Sequence, residues 1–425
     1  MLDPKWVREH PDAVKEAGRK KRIPCAPNVD EFLAVDERLR ELLPRVEGLR
    51  AEQKNAGRDL GSASPAEREV VLARQKELKE TIQALSVEER ELKEKREALL
   101  LTLPNVPAPE VPEGLSDADN VEIKKWGTPR DFGFEPKSHI DLGEALGIID
   151  VERGVKVAGS RNYFLLGDAL LLSEAVLRFA LEHMIAKGFV PVEVPHLVRD
   201  PAMVGTAYFP GGEEQAYRCE RDELNLIGTS EVSLTSLHQD ETLALDELPK
   251  LYVARSVCFR REAGTYGKDT KGLYRVHQFQ KVEQVVVDIA DDERSKQHHQ
   301  AILANSEEVL QALELPYRVV NVCGGDLGQP QIQKFDIETW MPSRGGYGET
   351  HSASRFHDFQ ARRLNIRYKD AEKKTRFCHT LNNTVAASTR MLIAILENWQ
   401  NEDGSVTVPP KLVPFMGKER IGPSA

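Results

Sequence analysis

The 425-residue sequence lacks features that would assign it to several whole classes of protein. Its five cysteines stand singly and are odd in number, which gives neither a disulfide framework nor the paired spacing of a zinc site. Its most apolar helical stretch, 169–186, contains Glu174, Arg178 and Glu182, so it falls short of the ~18–20 apolar residues of a membrane span. No basic-then-apolar signal pattern opens the chain. These absences predict a cytoplasmic protein with reduced thiols, no zinc and no membrane partner.

Positive charge is not in excess either. Lys and Arg number 58 against 68 Asp and Glu, and the resulting net charge of −10 excludes a uniformly basic nucleic-acid binder. The acidic excess is local, because residues 1–105 are net neutral and residues 106–425 carry all of it. Any nucleic acid must therefore be bound locally, by basic residues of the first part, and no DNA partner is expected.

Aromatic residues are scarce between residues 30 and 103, where Leu and Val are separated by runs of Glu, Lys and Arg. Apolar steps of three and four residues predict two long helices of a coiled coil. Gly57 and Gly61 lie between them, and Ser64-Pro65 has the pattern of a helix start, so the helices should reverse into an antiparallel hairpin ~40–50 Å long. Pro44 predicts a bend in the first helix. The predicted apolar seam consists of Phe32, Val35, Leu39, Leu42, Val46 and Leu49, then Leu78, Ile82, Leu85, Leu92 and Leu99, with Glu89 and Arg96 as polar interruptions.

Four prolines within 104–112 predict a stiff, extended linker, and hence an N-terminal domain of residues 1–110 and a second domain of 111–425. The second domain alternates helical and β-rich patterns, with several strands adjacent in sequence. This order predicts an α+β domain with a mainly antiparallel sheet flanked by helices. The helical patterns are 167–187, 291–313 and 384–400, and the β-rich runs include 251–261, 274–288 and 317–322.

The β-rich runs carry the residues most suited to chemistry. Strand alternation over 275–283 places Arg275, His277, Phe279, Lys281 and Glu283 on one face. Upstream, Arg260 and Glu262 should share a face of the strand over 251–261, and the glycine-rich segment 263–272 should connect the two strands. The pattern predicts a long hairpin with a polar working face.

This hairpin resembles a known motif. Phe259-Arg260-Arg261-Glu262 followed by Arg275-Val276-His277-Gln278-Phe279 and ending at Glu283 is similar to motif 2 of the class II aminoacyl-tRNA synthetases, in the form found in the seryl-tRNA synthetase family. Residues 188–195 resemble motif 1 at the dimer interface, and residues 381–390 resemble motif 3, although they lack its usual glycines. The resemblance implies a class II catalytic domain preceded by a long coiled-coil arm of about residues 30–103. Segments 226–231, 349–352 and 358–363 also follow the order and spacing of that family.

The chemistry of such an enzyme brings two anions together, because the serine carboxylate attacks the α-phosphate of ATP. A positioned guanidinium and a divalent metal offset that repulsion. The resemblance implies that Arg260 bridges the carboxylate and the α-phosphate, that Glu262 holds the adenine amino group, and that Phe279 stacks on adenine. Arg390 covers the opposite face near the γ-phosphate. Further implied ATP contacts are Arg261, Arg275, Val276, Glu349, Thr350, His351 and Ser352.

Serine selection requires a small polar pocket. Thr229 and Glu231, two apart on a strand-like segment, can accept hydrogen bonds from the substrate ammonium. The resemblance implies that Glu283 and Thr384 hold the side-chain hydroxyl, with a helix cap as the other interpretation of Thr384. It also implies Ser230, Asn382 and Arg260 as serine contacts.

A metal ion is expected beside the phosphates. Glu349 and Ser352 offer the hard oxygen ligands that suit Mg²⁺ rather than zinc. His351, which stands between them, is expected to pack or to donate a hydrogen bond rather than to act as a base.

The leading functional prediction is therefore a homodimeric ligase that joins serine to tRNA(Ser), with ATP and Mg²⁺, through seryl-adenylate. Activity on tRNA(Sec) is left open. One alternative is an activating paralogue that loads a carrier protein, which would be expected to lack a tRNA arm. Another is a non-catalytic coiled-coil protein, which would be expected to have lost motif residues such as Arg260, Glu262 and Arg390.

Overall fold

The computed structural model describes residues 1–59, 64–264 and 271–422. The chain forms two compact units. The first consists of Met1–Arg19 and Ile23–Pro104, and the second consists of Lys20–Arg22 and Asn105–Ala425. The proposed functional division at residue 110 remains a prediction.

The first unit is helical and is dominated by two long helices, with 34 residues in α3 and 38 in α4. At ~1.5 Å per residue both exceed about 50 Å. Ion pairs Lys95–Glu31 and Arg38–Glu88 join opposite ends of their sequences, so the helices run antiparallel, which confirms the predicted hairpin. The helices of this part of the chain are α1 (Pro4–Glu9), α2 (Pro11–Lys20), α3 (Ala26–Asp59) and α4 (Pro65–Thr102).

The predicted seam is buried where α3 supplies it. Phe32, Leu39 and Val46 are fully buried, whereas the seam residues of α4 between Leu78 and Leu99 are mostly half-buried. The polar interruption Glu89 is buried and forms ion pairs with Lys93 and Arg50. Ionic side chains at seam positions bury less apolar surface than leucine would. Burial of the seam therefore stabilises α4 less than it stabilises α3.

Two details of the arm depart from the sequence patterns. The helix α3 continues through Pro44 to Asp59, so Gly57 is helical and does not lie between the two helices as predicted. Gly61 lies outside the described residues. The bend predicted at Pro44 remains a prediction.

The second unit is built on an eight-stranded sheet with the strand order β1-β11-β12-β13-β16-β10-β9-β4. All pairings in it are antiparallel except β4 with β9, at one edge. Its strands are β1 (Val121–Trp126), β4 (Val190–Pro191), β9 (Lys250–Phe259), β10 (Gln278–Asp288), β11 (Tyr317–Asn321), β12 (Gln333–Met341), β13 (Gly346–His357) and β16 (His379–Ala387). This architecture confirms the predicted α+β fold.

Smaller sheets surround the large one. Their strands are β2 (Ile149–Asp150), β3 (Phe164–Leu165), β5 (Leu197–Arg199), β6 (Tyr217–Cys219), β7 (Leu224–Leu226), β8 (Thr242–Leu243), β14 (Arg367–Lys369), β15 (Thr375–Phe377), β17 (Val406–Thr407) and β18 (Arg420–Ile421).

Helices α7, α10 and α12 border the main core, whose fully buried side chains include Leu172 of α7, Ile302 of α10 and Leu392 of α12. None of the described helices has the length and apolar character that crossing a bilayer requires. The helices of this unit are α5 (His139–Ala145), α6 (Val151–Ala158), α7 (Asp168–Ala186), α8 (Asp200–Gly205), α9 (Glu231–Thr235), α10 (Asp292–Ala312), α11 (Phe359–Leu364), α12 (Ser388–Asn398) and α13 (Val413–Met416).

The structure corrects three local predictions. The helix predicted from 384 begins only at Ser388, because residues 379–387 form the fully buried strand β16, and Thr384 is therefore not a helix cap. Strand β10 begins at Gln278, after Arg275 and His277. Strand β9 ends at Phe259, so Arg260 and Glu262 follow it. The proline-rich segment also packs against the second unit, since Val111 contacts the buried residues at the end of β11.

Candidate active site

One cavity on the large sheet gathers most of the predicted site residues. It encloses about 770 Å³ including its mouth. An adjoining cavity of about 1060 Å³ shares Arg260, Glu262, Glu349 and Arg390 with it and adds Arg275. The predicted residues that line the first cavity are Thr229, Glu231, Arg260, Glu262, Val276, Phe279, Glu283, Glu349, Thr350, Ser352, Asn382, Thr384 and Arg390.

Two β-bulges shape its floor. On β13, Glu349 pairs with Glu338 and His351 with Ile337, which leaves Thr350 as the extra residue. A bulge lets neighbouring side chains reach the same face, and both Glu349 and Thr350 line the cavity. On β16, Val385 is the extra residue, and the lining positions change from 382 and 384 to 387.

The deep end of the cavity holds a buried cluster of acidic and polar groups. Lys281 Nζ lies 2.5 Å from Glu283 Oε2, and Thr384 Oγ1 donates to the same oxygen at 3.2 Å. Both charged side chains are almost fully buried, so their pairing offsets the cost of removing them from water. The remaining acceptor capacity of Glu283 faces a polar pocket that suits a small hydroxylic ligand.

Glu231 stands in the same region but not on the predicted strand. It is the first residue of the short helix α9, and Thr229 Oγ1 accepts from its backbone N–H at 3.2 Å. Its carboxylate accepts hydrogen bonds from Gln360 Nε2 at 2.8 Å and from Tyr208 Oη at 3.1 Å. Burial, reinforced by the nearby charge of Glu283, raises the pKa of Glu231 to about 7.

The outer part of the cavity is basic. Arg260 Nε donates to the carbonyl of Gly228 at 3.2 Å, and its guanidinium lies 5.3 Å from the centre of the Phe279 ring. Its backbone is fixed beyond the end of β9, since its N–H donates to the carbonyl of His277 and its own carbonyl lies 2.9 Å from His277 Nδ1. Across the cavity, Arg390 stacks 4.6 Å from the ring centre of Tyr274.

Glu349 lies between these cations. Arg390 Nη1 is 3.3 Å from Glu349 Oε1 and donates to its backbone carbonyl at 2.9 Å. Burial alone would raise the pKa of Glu349, but Arg390, Lys334 and Arg260 together hold it below its usual value, so this carboxylate is ionised at neutral pH.

The donors near Glu349 fit a magnesium ion carried on phosphates. Glu349 and Ser352 supply an ionised carboxylate and a hydroxyl to the same cavity. Asp336 pairs with Ser352 across the sheet, and its buried Oδ1 has no hydrogen-bond partner among the described residues. Within the same part of the chain, no group of three His, Cys, Asp or Glu residues has the geometry of a metal site. An ion here would draw most of its ligands from phosphate and water, as Mg²⁺ commonly does.

Three predicted site residues are not among those lining either cavity. Ser230 is buried, and its Oγ has no hydrogen-bond partner among the described residues. Arg261 is exposed, and its backbone N–H donates to the carbonyl of Gln215. His351 is buried, its Nε2 lies 3.1 Å from the carbonyl of Val385, and burial lowers its pKa to about 4. A neutral, hydrogen-bonded His351 matches the packing role expected of it.

Several lining residues were not predicted. Alternation placed Lys281 on the working face without assigning it a contact, and Ser354 could have been found in the same way, because it lies two residues from Ser352 on β13. Tyr208, Tyr274 and Gln331 come from segments without regular periodicity, and no pattern in the sequence marks them.

Comparison with known proteins agrees with this architecture. A family model described as the tRNA synthetase class II core domain (G, H, P, S and T) matches residues 217–399, and a model of the seryl-tRNA synthetase N-terminal domain matches residues 1–107. The fold is thus that of a class II aminoacyl-tRNA synthetase.

Relatives that match over the full length of the chain identify the family within this class. The chain is 45% identical to the serine–tRNA ligase of Deinococcus radiodurans, covering 99% of both chains, and 46% identical to serine–tRNA ligase 1 of Streptomyces avermitilis, covering 100% of both. The crystal structure of seryl-tRNA synthetase from Pyrococcus horikoshii complexed with ATP superposes with a TM-score of 0.93 at 42% identity, covering 100% of both chains. The chain belongs to the seryl-tRNA synthetase family, and it is an aminoacyl-tRNA ligase.

Proposed function

We propose that this chain activates serine with ATP in the cavity of the large sheet, releasing pyrophosphate, and then transfers serine from seryl-adenylate to tRNA(Ser). The observation that carries the proposal is the division of one cavity into a buried acidic end, with Glu231 and Glu283, and a basic end, with Arg260 and Arg390. A zwitterionic amino acid and a polyphosphate require such opposite environments side by side. A carrier-protein role has no comparable observation in its favour.

The acidic end is assigned to serine. Thr229 and Glu231 would hold its ammonium group, and Glu283 with Thr384 would hold its hydroxyl. Asn382 lines the same pocket, and Ser230 stands next to Glu231 in the chain. Alanine would leave these buried polar groups unpaired, which is a strong basis for rejecting it.

The basic end is assigned to ATP. Arg260 would neutralise both the attacking carboxylate and the α-phosphate, while Arg390 would lie over adenine opposite Phe279. Glu262 and Val276 would contact adenine, and Arg275 would contact the phosphates. Bound Mg²⁺ would neutralise phosphate charge, with Glu349 and Ser352 as its protein ligands. Thr350, His351 and Arg261 complete the proposed ATP contacts.

The long arm of α3 and α4 is assigned to tRNA, and the functional unit to a cytoplasmic homodimer. Exposed apolar side chains support the dimer, because Leu170, Leu171 and Ile185 of α7 and Val190 of β4 are each more than 40% exposed. Val190 lies in the segment similar to motif 1, and Ile185 precedes that segment by three residues. The arm of one subunit would hold the tRNA so that its acceptor end reaches the catalytic cavity of the other subunit.

The pH dependence of serine use tests this assignment. Because the pKa of Glu231 is raised to about 7, its carboxyl is mostly protonated below pH 7 and loses the charge that attracts the serine ammonium. We expect kcat/KM for serine in ATP–pyrophosphate exchange to fall about tenfold from pH 8 to pH 6.

The matched variant is Glu231→Gln, which keeps the shape of the side chain but cannot ionise. It should have a low kcat/KM at both pH values and a flat profile across this range. A wild-type profile that is equally flat, or no exchange with serine at any pH, would contradict the proposed function.

A further inference from the structure

The ammonium group of Lys21 is buried without an anionic partner among the described residues. Its side chain is 3% exposed, and Nζ donates to the carbonyl oxygens of Gly328, Gln329 and Gln331 at 3.1, 3.0 and 2.5 Å. Burial lowers the pKa of Lys21 well below its usual value. Three carbonyl acceptors match the three N–H donors of an ammonium group, so this site uses the full donor capacity of lysine.

The segment that Lys21 holds, 328–331, forms part of the catalytic cavity. Asn105 binds the same segment, through its N–H to the carbonyl of Gln329 at 2.9 Å and through Nδ2 to that of Pro330 at 3.0 Å. The side chain of Gln331 lines the cavity and donates to Ser354 Oγ at 2.8 Å. All four carbonyls of this segment are therefore satisfied by Lys21 and Asn105, more than 220 residues away in sequence.

A second contact leads from this segment toward Glu231. Arg363 Nη2 donates to Gln329 Oε1 at 3.3 Å, and its Nη1 donates to the carbonyls of Val204 and Phe209 at 2.9 and 3.0 Å. The segment 204–209 includes Tyr208, whose hydroxyl donates to Glu231.

The other donor to Glu231, Gln360, also contacts segment 204–209. Gln360 Nε2, on the helix that also carries Arg363, lies 2.8 Å from Glu231 Oε1 and 3.4 Å from the carbonyl of Thr206. Both hydrogen bonds that fix the Glu231 carboxylate therefore depend on where residues 204–209 lie.

We propose that Lys21 is a positioning residue for the amino-acid pocket, acting through segment 328–331 and Arg363 on the segment 204–209 that orients Glu231. This inference rests on the proposed function, in which Glu231 binds the serine ammonium. Lys21 lies in the turn between α2 and α3, outside the catalytic motifs, and this turn therefore contributes to the affinity for serine. The ATP end of the cavity, with Phe279 and Arg390, lies outside this chain of contacts.

The test is the variant Lys21→Met, which keeps an unbranched side chain of similar length and removes all three donors. We expect the KM for serine in ATP–pyrophosphate exchange to rise about tenfold, with the KM for ATP changed less than twofold. Lys20→Met is the matched control, since Lys20 is more exposed and lies 3.9 Å from Glu113; it should leave both KM values unchanged. Partial unfolding lowers kcat and leaves KM unchanged, so it would not give this pattern.

A second readout is independent of substrate. Amide hydrogen exchange of residues 204–209 should be faster in Lys21→Met than in wild type or Lys20→Met. If Lys21→Met fails to fold, Gln329→Ala removes the contact to Arg363 while keeping the backbone carbonyls, and it should raise the KM for serine in the same direction. Unchanged KM values together with unchanged exchange at 204–209 would overturn the inference. Absence of serine-dependent exchange in wild type would overturn the proposed function, while hydrogen exchange would still decide the role of Lys21.

Discussion

Replacing Arg260 with alanine is expected to lower the rate of serine-dependent ATP–pyrophosphate exchange at least about 10³-fold, or about 4 kcal/mol of transition-state stabilisation. The reason is electrostatic, because the reaction brings a carboxylate against a phosphate and Arg260, in the basic end of the cavity, is the cation proposed to contact both groups. Its Nε is used by the carbonyl of Gly228, and among the described residues its Nη atoms have no protein acceptor. They are available to both anionic groups.

Two variants make this result interpretable. Arg260→Lys keeps the charge but loses the planar, bidentate donor set, so it should recover only part of the lost rate. Arg376, on β15, is an exposed arginine that pairs with Asp370. The exchange rate of Arg376→Ala should therefore stay within about twofold of wild type. Thermal unfolding of all three variants should resemble that of wild type. An Arg260→Ala enzyme with near-normal exchange would remove Arg260 from the proposed catalytic role.

Removal of the arm is expected to separate the two half-reactions. Replacing residues 40–86 with a short glycine–serine linker should lower the rate of tRNA(Ser) charging at least about 10²-fold and leave serine-dependent exchange within about twofold. The arm would supply basic side chains for contacts to phosphates of the tRNA, and none of its described residues lines the catalytic cavity. The ion pair of Arg38 with Glu88 shows that the two cut ends face each other, so a short linker can join them.

The same deletion spares the base of the arm. Asp36, fully buried, forms ion pairs with Arg8 at 2.9 Å and with Arg96 at 3.3 Å, and all three residues are retained. Loss of exchange in parallel with charging would mean that the catalytic unit needs the arm for its own structure. Retention of charging would show that α3 and α4 do not bind the tRNA.

Regular periodicity explains how much of this fold was predictable. The seam of α3 follows steps of three and four residues, and the burial of Phe32, Leu39 and Val46 confirms it. Strand alternation likewise predicted that Phe279, Lys281 and Glu283 share a face. Each of these patterns depends only on local geometry, which the sequence states directly.

Sequence patterns predicted the conformation less well where the backbone departs from regular helix or strand geometry. Residues 384–387 were predicted to begin a helix but complete β16, because pairing with β10 decides their conformation. Glu262, three residues after the end of β9, has a positive φ of 52°, a conformation that no alternation pattern can indicate. The bulges at Thr350 and Val385 change which side chains face the cavity, and they arise only when the strands are paired.

Contacts between residues distant in the sequence could not be predicted either, because no local pattern indicates them. Lys21 and segment 328–331 are separated by about 310 residues, and neither carries a motif. Tyr208 and Gln331 enter the cavity from irregular segments whose positions are set by tertiary hydrogen bonds. The resemblance to a family could supply the motif residues of the cavity, but not the contacts that hold them in place.

The most direct test of the account is ATP–pyrophosphate exchange measured with each of the twenty amino acids in turn. Serine should be preferred, with alanine at least about 10³-fold lower in kcat/KM because Glu283 and Thr384 would be left without a hydroxyl partner. Threonine should also be rejected, since its methyl group has no room in the pocket. Preference for any other amino acid, or exchange that serine does not stimulate, would contradict the assignment of the cavity to serine.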